Sequence, residues 1–199
     1  MFTTLTNLYM DDFKQIITES IELRNALLED TELQNHLETA IDKIESCYKN
    51  GGKLLLCGNG GSAADAQHIA AELSGRFLKD RKALFAEALH VNSSFVTAVA
   101  NDYGFDHVYE RMIEAAGNQN DVLISISTSG NSANILNATK KANELGMYTV
   151  GMTGQTGGDL ASTCAICLKV PSTDTARIQE VHITLGHIIC QVIENRLFD

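Results

Sequence analysis

The sequence predicts an α/β protein: a doubly wound, five-stranded parallel sheet in a three-layer, flavodoxin-like or Rossmann-like arrangement, with two extra N-terminal helices. Three observations carry this expectation. Beyond Lys53, short apolar runs alternate with segments of helical period, as in a parallel sheet covered on both faces. Two of those runs, Leu54 to Cys57 and Asp121 to Ser125, break into turns of glycine and small polar residues that open the next helix. Before Lys53 only helical period is present.

In order, Phe13, Ile16, Ile17, Ile21, Leu27 and Leu28 mark an amphipathic helix from Asp12 to Leu28. A second follows Asp30, with Leu33, Leu37, Ile41, Ile44 and Tyr48 on one stripe and a glycine stop at Asn50-Gly51-Gly52. Neither helix can be a crossover of the sheet, so each stripe needs a cover: a second copy of the chain, or the same sheet. Strands are expected at Lys53–Cys57, Ala83–Leu89, Asp121–Ser125, Tyr148–Met152 and Ala165–Val170. Helices are expected near Ala63–Ser74, Ser93–Ala100, Val108–Ala116 and Ser132–Leu145, with a short turn near Asp159 and a last helix from Thr175 to Arg196. Pro171, the only proline, falls just after the fifth strand. No linker or repeat interrupts the chain. The 199 residues, 44% hydrophobic, read as one domain: a helical pair over 1–50, expected at an oligomer interface, and an α/β core over 51–199.

Composition removes several function classes. A net charge of −10 argues against sequence-independent nucleic-acid binding, which needs a basic footprint. No apolar run is long enough for a membrane span, and Met1 to Leu5 lacks the features of a signal peptide, so a cytoplasmic protein is expected. The five cysteines read as reduced core residues. Cys164 and Cys167 form a CxxC, but in a strand positions i and i+3 face opposite ways.

The first loop, Gly58-Asn59-Gly60-Gly61-Ser62, combines glycines that allow close backbone approach with Ser62 as N-cap and Asp65 three residues on, leaving free N–H groups for an anion. In the helix that follows, His68 and Glu72 are spaced i, i+4. They project from one face about 6 Å apart along the axis, where both could meet a metal or a reacting carbon. The second loop, Ser127-Thr128-Ser129-Gly130-Asn131-Ser132, offers four hydroxyls beside the amides of a helix N-terminus and is the better phosphate cradle. Both loops follow parallel strands at their carboxyl ends, so one shared crevice is expected.

Together with Asn101-Asp102-Tyr103-Gly104-Phe105 and Arg177-Ile178-Gln179-Glu180-Val181-His182, these loops resemble the phosphoheptose isomerases, sugar isomerase (SIS) domain enzymes of bacterial heptose biosynthesis. The resemblance implies an SIS-type fold and conversion of sedoheptulose 7-phosphate to D-glycero-D-manno-heptose 7-phosphate by a cytoplasmic homotetramer with sites between subunits. It puts sugar-phosphate contacts on Asn59, Gly60, Gly61, Ser62, Glu72, Arg76, Asn101, Asp102, Ser127, Thr128, Ser129, Ser132 and Gln179. It puts one zinc per subunit on His68, Glu72, Gln179 and His187, and an acid/base pair on Glu72 and His187. The chain departs from many relatives at Lys82-Ala83-Leu84-Phe85, where they have prolines.

An aldose–ketose isomerisation through an enediol needs a base at carbon, an acid at the carbonyl oxygen and stabilisation of the oxyanion. Glu72 and His187 fit as base and acid in either order. Gln179 and His187 lie about 80° apart around an ideal helix and roughly 12 Å apart along it. They converge only if the helix bends or a neighbouring subunit contributes. His182 is a bystander candidate, and His36, His90 and His107 read as ordinary structural histidines. Asp65 is either a capping-box acid or a residue that holds His68.

Two other readings fit part of the sequence. Gly58 to Ala63 also satisfies G-x-G-x-x-A, but Asp80 precedes the second strand instead of ending it, so no nucleotide cofactor is expected. A non-catalytic SIS-domain protein, of the replication-initiator-associating or sugar-phosphate-sensing kind, would lack the acid/base pair, and both members are present here.

Overall fold

The computed structural model describes the backbone of residues 2–199 and the side chains of residues 10–199. Two helices open the chain, α1 (Phe2–Glu29) and α2 (Thr31–Lys49), separated by Asp30, whose carboxylate accepts the Leu33 N–H as N-cap. Then β1 (Leu54–Gly58), α3 (Gly61–Ser74), β2 (Ala86–Ala88), α4 (Ser93–Tyr103), a 3₁₀ turn (Phe105–His107) and α5 (Val108–Ala116) follow. The chain continues with β3 (Val122–Ile126), α6 (Ala133–Glu144), β4 (Tyr148–Thr153), α7 (Leu160–Thr163), β5 (Ile166–Lys169) and α8 (Thr175–Phe198).

All strand pairs are parallel and the order is β2-β1-β3-β4-β5, the flavodoxin-like order. Period-two alternation divides the core. Leu54 and Leu56 face a layer built from α2, α3 and α8, while Leu55 and Cys57 face the layer of α4, α5, α6 and α7. The fold class and its five strands are therefore as the sequence predicts. The second strand is shorter than expected, three residues in place of Ala83–Leu89, because residues 81–85 turn back along α3, with Leu84 N bonded to the Leu73 carbonyl.

The covers for the N-terminal stripes are different for the two helices. Helix α2 packs on the sheet of its own chain through Leu33, Ala40, Ile41 and Ile44. Helix α1 leaves Met10, Phe13, Ile16, Ile17, Ile21 and Leu28 exposed.

The CxxC expectation is corrected. Cys164 caps the end of α7 and lies before β5, so strand alternation does not apply, and its thiol, a donor, lies beside that of Cys167 against Gly151. Proximity to that donor pulls the Cys167 thiol down to about 7 and drives Cys164 upward. No helix among the described residues is long and apolar enough to cross a membrane.

Candidate active site

The strand order reverses around β1, so the carboxyl ends of β1 and β3 open a crevice between their loops. A cavity of about 300 Å³ lies there. Asn59, Gly60, Gly61 and Ser62 line it from the first loop, Ser127, Thr128 and Ser132 from the second, and Thr175 and Gln179 from the start of α8. The two loops thus share one crevice, as the sequence predicts.

The first loop is held from three sides. Tyr109 donates its hydroxyl to the Gly58 carbonyl at 2.5 Å. Asn59 exchanges a reciprocal pair of amide hydrogen bonds with Asn134, both at 2.9 Å, and Asn134 is buried. Gly61 lies under the Gln179 amide: a Cβ there would come within 2.7 Å of both Nε2 and Oε1. The expected N-cap is corrected. Helix α3 is capped by Gly60, with φ 55° and no side-chain hydrogen bond, while Ser62 is buried in the first turn. The capping-box role of Asp65 goes with it. Burial pushes the Asp65 carboxyl up to about 6, partly offset by the field of His68, and its Oδ2 has no hydrogen-bond partner.

In the second loop the Ser127 and Ser132 hydroxyls meet at 3.2 Å and Ser129 Oγ accepts from the Asn131 N–H. Ser132 is the N-cap of α6 by position but its hydroxyl makes no capping bond, which leaves it turned toward Ser127 beside the helix's first amides. Four hydroxyls and a helix N-terminus together suit the acceptor oxygens of a phosphate.

Further along α3, His68 Nε2 is 3.0 Å from Glu72 Oε1. The His187 ring on α8 meets the His68 ring edge-on, with centroids 4.9 Å apart. One ligand atom from each of His68, Glu72 and His187 lies within 4.8 Å of the others. Helices α3 and α8 run side by side in the same direction: Gln179 sits at the level of Gly61, His187 at His68 and Glu194 at Phe77. Gly186 makes the contact close, since a Cβ there would fall 2.5 Å from Ile69 Cδ1. Two nitrogens and a carboxylate oxygen at this spacing fit a divalent zinc ion with a position left open.

Gln179 is not brought to this cluster by a bend. Helix α8 is continuous from Thr175 to Phe198, so Gln179 stays at the sugar-loop end. Asn101 and Asp102, hydrogen-bonded to each other at 2.8 Å at the end of α4, and Arg76, beyond α3, are exposed and do not line the cavity. His182 is a bystander: it is fully buried, donates Nε2–H to the Thr153 carbonyl at 3.2 Å, and burial lowers it to about 4. His36 is bonded to the Cys167 carbonyl and His107 to Glu110.

The sequence reading missed Asn134, Gly186 and Phe77, whose ring stacks on His187 with centroids 5.7 Å apart. A lone glycine inside a helical pattern signals close packing and would have pointed to Gly186. No local signal marks Asn134 or Phe77, because their roles arise only across elements.

This architecture, with a hydroxyl-rich anion loop and a sugar-sized cavity at the switch point, is that of a sugar-isomerase domain, and the SIS domain family model matches residues 18–154. The chain is 49% identical over 190 residues to the phosphoheptose isomerase of Aneurinibacillus thermoaerophilus, covering 95% of this chain and 96% of that one. It is 50% identical over 182 residues to that of Clostridium acetobutylicum, covering 92% and 93%. The structure of the phosphoheptose isomerase from Neisseria gonorrhoeae superposes with a TM-score of 0.88 at 42% identity, covering 94% of this chain and 98% of that chain. The chain belongs to the phosphoheptose isomerases of the SIS domain family.

Proposed function

We propose that the protein isomerises sedoheptulose 7-phosphate to D-glycero-D-manno-heptose 7-phosphate, the first step of bacterial heptose biosynthesis, in the cytoplasm. The observation that carries the reading is the meeting of Glu72 and His187, from two parallel helices whose first turns line the cavity shared by both loops. The phosphate is held by the hydroxyls of Ser127, Thr128, Ser129 and Ser132 and the first amides of α6. Asn59, Gly60, Gly61, Ser62 and Gln179 bind the sugar near its reacting end.

One of Glu72 and His187 removes the proton from carbon while the other protonates the carbonyl oxygen, and the roles exchange when the enediol collapses to the other carbonyl. The stacked Phe77 ring on one side and the His68 ring edge on another limit the rotation of His187. Zinc, held by His68, Glu72 and His187, would supply Lewis-acid polarisation of the carbonyl.

The positions of Asn101, Asp102 and Arg76 outside the cavity, and the exposed stripe of α1, support a homotetramer in which neighbouring copies complete each site. The test is incubation with sedoheptulose 7-phosphate, identification of the product by NMR, and repetition after chelation. Glu72→Gln and His187→Gln should abolish turnover and leave a folded oligomer. Full activity in either variant sinks the assignment, and turnover that survives chelation removes zinc from the mechanism alone.

A further inference from the structure

We infer that the buried ion pair of Arg81 and Glu194 is a positioning device for Glu72 and His187, an inference that rests on the isomerase reading. The two side chains are 2% and 1% exposed. Glu194 follows His187 by seven residues on α8, about two turns on the same face. Its carboxylate accepts the N–H groups of Phe77 at 3.1 Å, Leu78 at 2.7 Å and Lys79 at 2.7 Å, and Arg81 Nε–H at 2.9 Å. Burial by itself would raise this carboxyl, but the three amides and the guanidinium outweigh it and hold it low, so the group is ionised.

Arg81 spends its other donors on the end of α3. Nη2 bonds the Glu72 carbonyl at 2.9 Å, and Nη1 bonds the carbonyls of Leu73 at 2.8 Å and Gly75 at 3.3 Å. These are the carbonyls that a helix leaves unpaired in its last turn, and that turn carries Glu72.

The pair therefore joins three things at one level of the molecule: the turn that presents Glu72, the segment that presents Phe77, and the helix that presents His187. Phe77 is both the first residue clamped by Glu194 and the ring stacked on His187. A buried ion pair is a weak source of net stability compared with apolar packing of the same volume, whereas its hydrogen bonds are directional. Only a guanidinium has the forked donors to serve the carboxylate and two helix carbonyls together; a lysine has the charge without the fork.

The test compares Arg81→Lys and Glu194→Gln with Asp121→Asn. Asp121 is an equally buried acid that accepts from Lys53 Nζ, Lys53 N and Asn118 N at the far, amino-terminal end of the strands. Each variant is assayed for kcat and KM on sedoheptulose 7-phosphate, for Tm, and for the His187 imidazole resonances in the ¹⁵N-labelled protein. Misplacement by about 1 Å costs on the order of 100-fold in rate, so kcat in the two clamp variants should fall roughly 10- to 100-fold. KM should hold, because the phosphate loop is untouched. The His187 resonances should shift in these variants and stay in place in Asp121→Asn, which should lose Tm but keep kcat. Should Glu194→Gln fail to fold, Arg81→Lys, which keeps the charge, carries the same comparison. Wild-type kcat with unmoved His187 resonances, or an equal kcat loss in Asp121→Asn, overturns the inference. A wild-type protein that does not turn over the substrate, with His187 resonances still shifting in the clamp variants, overturns the isomerase reading and leaves the positioning role standing.

Discussion

Gly61→Ala separates the site from the fold. The added methyl would lie 2.7 Å from both polar atoms of the Gln179 amide and 2.9 Å from its Cδ. To reach the 3.4 Å at which contact becomes ordinary, the amide must move by about 0.7 Å. Gln179 is the end of a flexible side chain, so the move costs the fold little. Alanine in place of a helical glycine gains up to about 1 kcal/mol. The amide, however, lines the sugar cavity, and a displacement near 1 Å is worth on the order of 100-fold in rate. Tm should therefore hold or rise while kcat/KM falls roughly 10- to 100-fold, or about 1.4–2.8 kcal/mol of transition-state binding. The assay is turnover of sedoheptulose 7-phosphate alongside thermal unfolding, on Gly61→Ala, Gln179→Ala and the double variant. If the glycine acts through Gln179, the double variant should be no worse than Gln179→Ala alone. Wild-type kcat/KM in Gly61→Ala, or strict additivity in the double variant, refutes the reasoning.

Other predictions concern the supports of the site. Asn134→Ala removes both amide bonds to Asn59, and at about 1 kcal/mol net for each bond it should lower stability by roughly 2 kcal/mol in chemical denaturation and raise KM. His182 is held neutral, at about 4 against 6.5 for an ordinary histidine. Between these values the unfolded chain binds a proton that the folded one refuses, so stability is full above pH 6.5 and falls by roughly 3 kcal/mol toward pH 4; Tm measured across that range should fall less steeply in His182→Gln. Ile17→Glu with Ile21→Glu places two charges on the exposed stripe of α1, and sedimentation should show a smaller assembly than the wild type.

Periodicity and turn chemistry are local properties, and what depends on them was legible in the sequence. The five strands, the glycine stop after α2, the start of α2 after Asp30 and the facing of His68 and Glu72 on one helix follow from residues within a few positions of one another. Even the shared crevice follows, because parallel strands put consecutive loops at the same sheet edge. The failures have the same root. Ser62 looked like an N-cap, but the cap position fell to Gly60, which the backbone can carry at positive φ, while Gln179 rests on the next residue, Gly61. Cys164 looked like a strand residue, but α7 ends on it.

By itself, then, the sequence determined the fold class, the two loops and the helix face that carries His68 and Glu72. Tertiary structure alone decided that α8 runs parallel to α3 in close contact at Gly186, so that His187 meets His68 while Gln179 stays with the sugar loop. It also decided that Asn134 braces Asn59, and that Arg81 and Glu194 clamp the ends of both helices. The physical reason is distance along the chain: these partners lie 75 to 119 residues apart, and short-range patterns carry no information about which side chains a sheet will bring face to face.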